Sequence, residues 1–351
     1  MDAAFPIRVN ESTMRRHGLA DWQLPSSWER VQCLELHVGG EPLRVVTDGI
    51  PALCGDTMQE RMLYARENYD KFRKRVLHEP RGHSDQYGCL LTQPVTIDGD
   101  YGLFFMDTDD YVPMCGHGTI AVTTALATAG FANVDDNVAT INFDTPVGRV
   151  QATAYMHNGI ARRVSIVNVA SYMLHADYML DVPDIGRVRC DIAYGGEWYF
   201  YVDVNDLGLD VIQKDIREFI VVGRKIKQAA IEAFPELPVY GVVFVQPNVD
   251  PGIHTRHITI FGNGSVDRSP CGTSVCGRLA VENAKNGLLN DVPLVFQSIT
   301  DSTFVGQIVE MTSVDGRPAV IPQVTGSAHF TGEHTFYYDP TDPLMDGLFL
   351  R

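Results

Sequence analysis

Two cysteines of this 351-residue chain stand in matching surroundings. The apolar run LFFM leads through DTDDYVP to Met114-Cys115-Gly116-His117-Gly118, then TIAVTTALATA and Gly130. ITIF leads through GNGSVDRS to Pro270-Cys271-Gly272-Thr273, then SVCGRLAVENAKN and Gly287. Each segment reads as a strand, a loop, a Cys-Gly at a helix start, roughly four turns of helix and a terminating Gly suited to the left-handed C′ position. One device used twice suggests a pseudo-symmetric pair of thiols facing a single cleft.

A thiol at a helix N-terminus meets the positive end of the macrodipole and unpaired N–H groups, which is expected to lower its pKa from ~8.5 and make it a usable base. A thiolate and a thiol on opposite faces of a substrate carbon would remove a proton from one side and deliver one to the other, with the roles exchanged for the opposite enantiomer. Two such thiols would titrate as a unit. The glycine after each cysteine lets backbone approach closely. The N–H groups of Gly116, His117, Gly272 and Thr273 would then cradle a carboxylate and the enolate-like charge that develops on deprotonation. Other readings are weaker. Cys33, Cys54, Cys89 and Cys190 read as small buried hydrophobes, and Cys276, one turn into its helix, as core or backing for the site. A Cys115–His117 nucleophilic pair is disfavoured because residues two apart at a helix start rarely face each other. His254-x-x-His257 lacks a third ligand, so no metal is expected, and Gly262-x-Gly264 reads as a loop.

The elements that must position these residues are strand-rich. Strands are read at VQCLELHV, LRVVTD, CLLTQPV, YGLFFMD, TINFD, RVQATAY, VSIVNV, RCDIAY, WYFYVDV, GVVFVQ, RHITIF, QIVEMT, AVIPQV and TFYYD. Helices are read over Met58–Val76, from about Lys214 to Phe234, and near 273–285. Strands outnumber helices without alternating with them, which predicts an α+β fold with antiparallel or mixed sheets. Residues 1–30 are polar and aperiodic and read as an N-terminal arm. The net charge of −16, from 44 acids against 28 bases, disfavours nucleic acid and anionic membrane surfaces as partners. No apolar run approaches the ~18 residues of a membrane span, and no signal peptide is read. Seven scattered cysteines without a C-x-x-C pair favour neither a disulfide framework nor a zinc ribbon, and a cytoplasmic, reducing compartment is expected.

The chain resembles the proline racemase family, which includes proline racemases, 4-hydroxyproline 2-epimerases and trans-3-hydroxyproline dehydratases. The matching pieces are Gly39-Gly40-Glu41-Pro42, Glu79-Pro80-Arg81-Gly82-His83, Met114-Cys115-Gly116-His117-Gly118-Thr119, Tyr194-Gly195-Gly196, Asp267-Arg268-Ser269-Pro270-Cys271-Gly272-Thr273 and Thr325-Gly326-Ser327-Ala328. The resemblance implies a diaminopimelate-epimerase-like fold of two pseudo-symmetric domains, each wrapping sheet around a central helix. The first would span 31–160 with 326–351 and carry Cys115; the second would span 161–325 and carry Cys271. It further implies Cys115 and Cys271 as the acid/base pair, His117 and Asp267 at the substrate ring nitrogen, no cofactor, a small imino-acid substrate and a homodimer. His83 and Tyr87 lie where the family varies with substrate. In the dehydratases the second cysteine is typically Thr, so Cys271 points to racemisation or epimerisation of proline or a hydroxyproline. Dehydration of trans-3-hydroxy-L-proline, or binding of an imino acid without catalysis, is the alternative. Val38, Glu197, Val275, Cys276 and Asp301 depart from the family pattern and are the places where the pocket would be reshaped.

Overall fold

The computed structural model describes residues 24–211, 216–247 and 250–350. The expected arm therefore lies, up to residue 23, outside the described residues. A single hydrogen-bonded ladder of strands runs through both halves of the chain. In the first half its order is His329–Tyr338, Glu29–Val38, Glu41–Asp48, Gly88–Thr92, Tyr101–Met106, Val138–Thr145, Gly148–His157 and Ile160–Val167. In the second half it is Arg317–Gly326, Thr303–Val314, Leu294–Ser298, Thr255–Phe261, Val239–Pro247, Trp198–Asp203, Gly186–Tyr194 and Tyr172–Val182. Antiparallel pairing of Val164–Val167 with Gln323–Gly326 joins the halves.

Among the described residues four pairings are parallel, two in each half, and each is bridged by helix. Parallel neighbours need a crossover, and a helix is its usual form. Helices α1 (Met58–Asn68) and α2 (Asp70–Leu77) connect Glu41–Asp48 to Gly88–Thr92, and α3 (Gly116–Thr128) connects Tyr101–Met106 to Val138–Thr145. In the second half α4 (Ile216–Ala233) and α5 (Gly272–Asn286) occupy the equivalent places. The one helix expected over Met58–Val76 is thus two. Its ladder breaks at Tyr69, whose φ of −130° and ψ of 27° leave the helical region.

α3 and α5 are the helices around which the two halves wrap. Every residue of α3 from Gly116 to Ala127 is buried, which a sequence of small and apolar residues without Asp, Glu, Lys or Arg permits. Three of its four threonines return their hydroxyls to carbonyls one turn back: Thr119 to Cys115 at 2.7 Å, Thr123 to Thr119 at 2.7 Å and Thr124 to Ile120 at 2.9 Å. That satisfies polar groups which would otherwise be costly in an apolar core. Ile120 and Val122 of α3 share one continuous apolar cluster with Val275 and Leu279 of α5 and with Phe296, Phe304 and Val324 of the second half. α4 lies on an outer face, with Phe219, Ile226 and Ala230 packed among Phe244, Ile258 and Ile260. α1 and α2 cover the opposite half through Met58, Met62, Val76 and Leu77.

Candidate active site

Each cysteine is the N-cap residue of a crossover helix, one loop and one short strand beyond the long parallel strand that feeds it. Short strands repeat the approach: Val112 pairs with Phe105 before Cys115, and Val266 with Ile260 before Cys271. The two helix starts then meet. A Cβ built on Gly116 would lie 2.6 Å from the Gly272 Cα, and one on Gly272 would lie 2.7 Å from the Gly116 Cα. Only glycine at both positions allows backbone to touch backbone here. The cysteines before them are brought to one small, nearly closed cavity of about 10 Å³, lined by Tyr87, Met114, Cys115, Gly116, His117, Tyr199, Tyr240, Phe261, Asp267, Cys271, Gly272 and Thr273.

Eight of the nine residues expected at the site line this cavity. His83 does not: it is exposed, and its Nδ1 accepts the Asp85 N–H at 3.2 Å. Tyr199, Tyr240, Phe261 and Met114 were not expected from the sequence. Their signal was an aromatic or large side chain at the end of an apolar run, which many core positions share. The departures from the family pattern lie behind the walls. Val38, Val275 and Cys276 are core, and Asp301 pairs with Arg256 at 2.6 Å. Glu197 is buried in a wider cleft that shares Tyr240 and Phe261 with the pocket.

The two thiols have different neighbours. Cys115 caps α3: its Sγ accepts the Gly118 N–H at 3.3 Å and lies 3.1 Å from His117 Nδ1. The expectation that residues 115 and 117 would not face each other is therefore wrong. Cys115 is extended, with φ −148° and ψ 121°, so its side chain lies over the first turn instead of following the helical spiral. Cys271 has φ +65° and ψ 100°. Its Sγ is 3.5 Å from the Tyr199 hydroxyl, which is itself 2.7 Å from Thr273 Oγ1. Asp267 Oδ1 accepts the Ser269 N–H at 2.7 Å. Tyr87 and Tyr240 reach across from the two halves and bring their hydroxyls within 2.5 Å of each other. The Tyr87 ring stands edge-on to His117, 5.0 Å between centroids.

The expected fall in thiol pKa is not found in this closed pocket. Burial pushes the Cys271 thiol up to about 12, with the Asp267 carboxylate adding to the rise and hydrogen bonds from Tyr199 and Ser274 opposing it. Burial likewise takes Cys115 well above the ordinary thiol value, while the Gly118 N–H opposes the rise and Asp267, Cys271 and Glu41 reinforce it. Loss of water around a forming anion outweighs the helix dipole when both flanks are enclosed and a carboxylate faces them. Burial also holds the His117 ring neutral, against the pull of Asp267 and the Pro42 carbonyl. His254 and His257 are engaged elsewhere, with Glu282 at 3.0 Å and Thr255 at 2.9 Å.

A family profile described as proline racemase matches residues 33–349. The chain belongs to the proline racemase family. Over 333 residues it is 37% identical to a trans-3-hydroxy-L-proline dehydratase of Colwellia psychrerythraea, covering 93% of this chain and 94% of that one. It is also 37% identical to a 3-hydroxyproline 2-epimerase of Burkholderia multivorans, covering 91% and 97%. The solved structure of a hydroxyproline epimerase from Agrobacterium vitis, with trans-4-hydroxy-L-proline bound, superposes with a TM-score of 0.87 at 29% identity, covering 93% of this chain and 96% of that one. This member of the proline racemase family has the diaminopimelate-epimerase-like fold, and among its described residues no helix is long and apolar enough to cross a membrane.

Proposed function

We propose that the chain is a cofactor-independent racemase or epimerase that inverts Cα of an imino acid with Cys115 and Cys271 as acid and base. The observation that carries the reading is the pairing of two thiols at abutting helix starts around one cavity. One cysteine, as thiolate, takes the Cα proton. The electron pair left on carbon spreads into the carboxylate, which the first N–H groups of both helices, those of Gly116, His117, Gly272 and Thr273, are free of intrahelical acceptors to receive. The opposing thiol gives its proton to the other face and becomes the thiolate. Atoms and charge balance without any further reagent. His117 and Asp267 hold the ring nitrogen, the neutral imidazole accepting from it and the carboxylate favouring its charged form. A raised thiol pKa lowers the fraction ionised but makes each thiolate a stronger base once formed.

The ring end of the pocket favours a hydroxylated ring. Tyr87 and Tyr240 present two phenol hydroxyls that proline methylenes cannot satisfy, and a ring hydroxyl placed between them would exchange their mutual hydrogen bond for two. A site built to bond a hydroxyl discriminates strongly against the analogue that lacks one. The test is incubation with L-proline, trans-4-hydroxy-L-proline and trans-3-hydroxy-L-proline in D₂O. Loss of the Cα proton signal with inversion supports the reading. Rapid formation of a pyrroline carboxylate from the 3-hydroxy substrate without inversion of the others would replace it with dehydration, and no reaction would leave an imino-acid-binding protein. A homodimer is the assembly that the family resemblance implies, and seven free cysteines favour a cytoplasmic setting.

A further inference from the structure

We propose that Tyr199 is a positioning residue for Cys271, its hydroxyl donating to the sulfur as the thiolate forms and so taking the part that a helix N–H takes at Cys115. The inference rests on the two-cysteine reading above. The duplicated device is not symmetric at its sulfur atoms. Cys115 receives the Gly118 N–H of its own helix, whereas at Cys271 the equivalent Ser274 N–H lacks cap hydrogen-bond geometry and pulls on the sulfur less than the Tyr199 hydroxyl does. Its φ of +65° is a left-handed conformation that a residue with a Cβ adopts only when its surroundings enforce it. A hydroxyl from another element, the strand Trp198–Asp203, reaches its sulfur through Tyr199 at 3.5 Å.

Thr273 can free the phenol hydrogen for that bond. Thr273 Oγ1 is 2.7 Å from the Tyr199 oxygen but 3.9 Å from the Cys271 sulfur. With the threonine hydroxyl donating to the phenol oxygen, the phenol hydrogen is left for the sulfur, and each bond polarises the next. Tyr199 is fully buried, and that burial keeps its own proton bound, so it donates a hydrogen bond and never transfers the proton. The other groups facing Cys271 are Asp267, Cys115, Tyr201, Cys276 and Ser274. The carboxylate and the two thiols oppose its ionisation, and Ser274 favours it. Removing the Tyr199 hydroxyl therefore leaves the Cys271 anion with its strongest opponents in place.

The experiment is Tyr199→Phe in the full chain, which keeps the ring and the packing. Iodoacetamide labelling is followed site by site by peptide mass spectrometry from pH 6 to 11. At a given pH on the rising limb, Cys271 labelling is expected to fall about tenfold, one pKa unit, while Cys115 labelling is unchanged. In turnover, kcat should fall with KM little altered. Should the variant fail to fold by near-ultraviolet circular dichroism, Thr273→Val reads the same chain, with a smaller shift in the same direction. An unmoved Cys271 profile in a folded variant would show that Tyr199 is packing only. Labelling requires no substrate, so a wild type that exchanges no Cα proton would overturn the two-cysteine function without being confused with this result.

Discussion

Replacing Gly272 with Ala places a methyl group where the two helix starts touch. Its carbon would stand 2.7 Å from the Gly116 Cα, 3.1 Å from the Gly116 carbonyl carbon and 3.4 Å from the His117 nitrogen, all backbone atoms that no rotamer change can move. Non-bonded carbons rest at about 3.5–4.0 Å, so the tips must part by roughly 1 Å. Overpacking of this kind costs ~1–3 kcal/mol, offset by up to ~1 kcal/mol because Ala suits a helix better than Gly. The net loss of stability should be on the order of 1–2 kcal/mol. Neither glycine has a left-handed φ, so backbone strain does not confuse the comparison. The rate should suffer more. A 1 Å misplacement of reacting groups costs about 100-fold, equivalent to ~2.7 kcal/mol of barrier. Proton NMR of Cα exchange in D₂O, beside thermal unfolding, separates the two effects. The expected variant is folded, a few degrees less stable and about 100-fold slower, and Gly116→Ala should match it because its Cβ meets Gly272 in the same way. A Gly272→Ala protein with wild-type exchange and wild-type unfolding temperature would show that the tips are not in contact and that their spacing does not set the reaction.

Three further outcomes are expected. Cys115→Ser and Cys271→Ser should each slow inversion at Cα by ~10³-fold or more in both directions, and pyrrole-2-carboxylate should protect both cysteines from iodoacetamide; equal labelling of all seven cysteines, indifferent to that ligand, would refute a shared pocket. Burial pushes Glu197 up to about 8, so the wild type should lose stability as pH rises from the ordinary carboxyl range through 8, because the unfolded chain ionises first. Glu197→Gln should therefore equal the wild type near pH 4 and exceed it by on the order of 3–5 kcal/mol at pH 8, as read by denaturant unfolding; a gap that does not grow with pH would show the carboxyl to be solvated. Tyr87→Phe should reduce the preference for trans-4-hydroxy-L-proline over L-proline in kcat/KM by about tenfold, whereas an unchanged ratio would mean that the ring hydroxyl points elsewhere.

The halves of the fold and the place of both thiols were legible because they rest on local order. A strand, a Cys-Gly helix start and a closing glycine each leave a short sequence mark, and their repetition excludes accident. Tyr199, Tyr240 and Phe261 were not legible, since their proximity to sulfur depends on which strands are neighbours in the ladder. Trp198–Asp203 reaches Cys271 only through the parallel pairing with Val239–Pro247 and the crossovers around it. The break at Tyr69 was missed because apolar spacing continues through it. The sign of the thiol shifts was missed for a related reason: a helix dipole is visible in sequence, but burial is the sum of everything packed around it.

The ladder's passage between halves limits the ways in which they could part. Val164–Val167 and Gln323–Gly326 hold one edge by backbone pairing, reinforced by Ser165 and Thr325, whose hydroxyls are 2.7 Å apart. That edge behaves as the spine of a book. Opening by sliding or full separation would tear strands from each other, leaving a swing about the spine as the motion that spares them. The Tyr87–Tyr240 hydroxyl contact is one clasp among several, beside Arg268 with Asp85 at 2.8 Å and Thr300 with the Gly39 carbonyl at 2.7 Å, all side-chain links that can part without unpairing a strand. A swing of that kind would change the angle between the covers while leaving the strands at the spine paired.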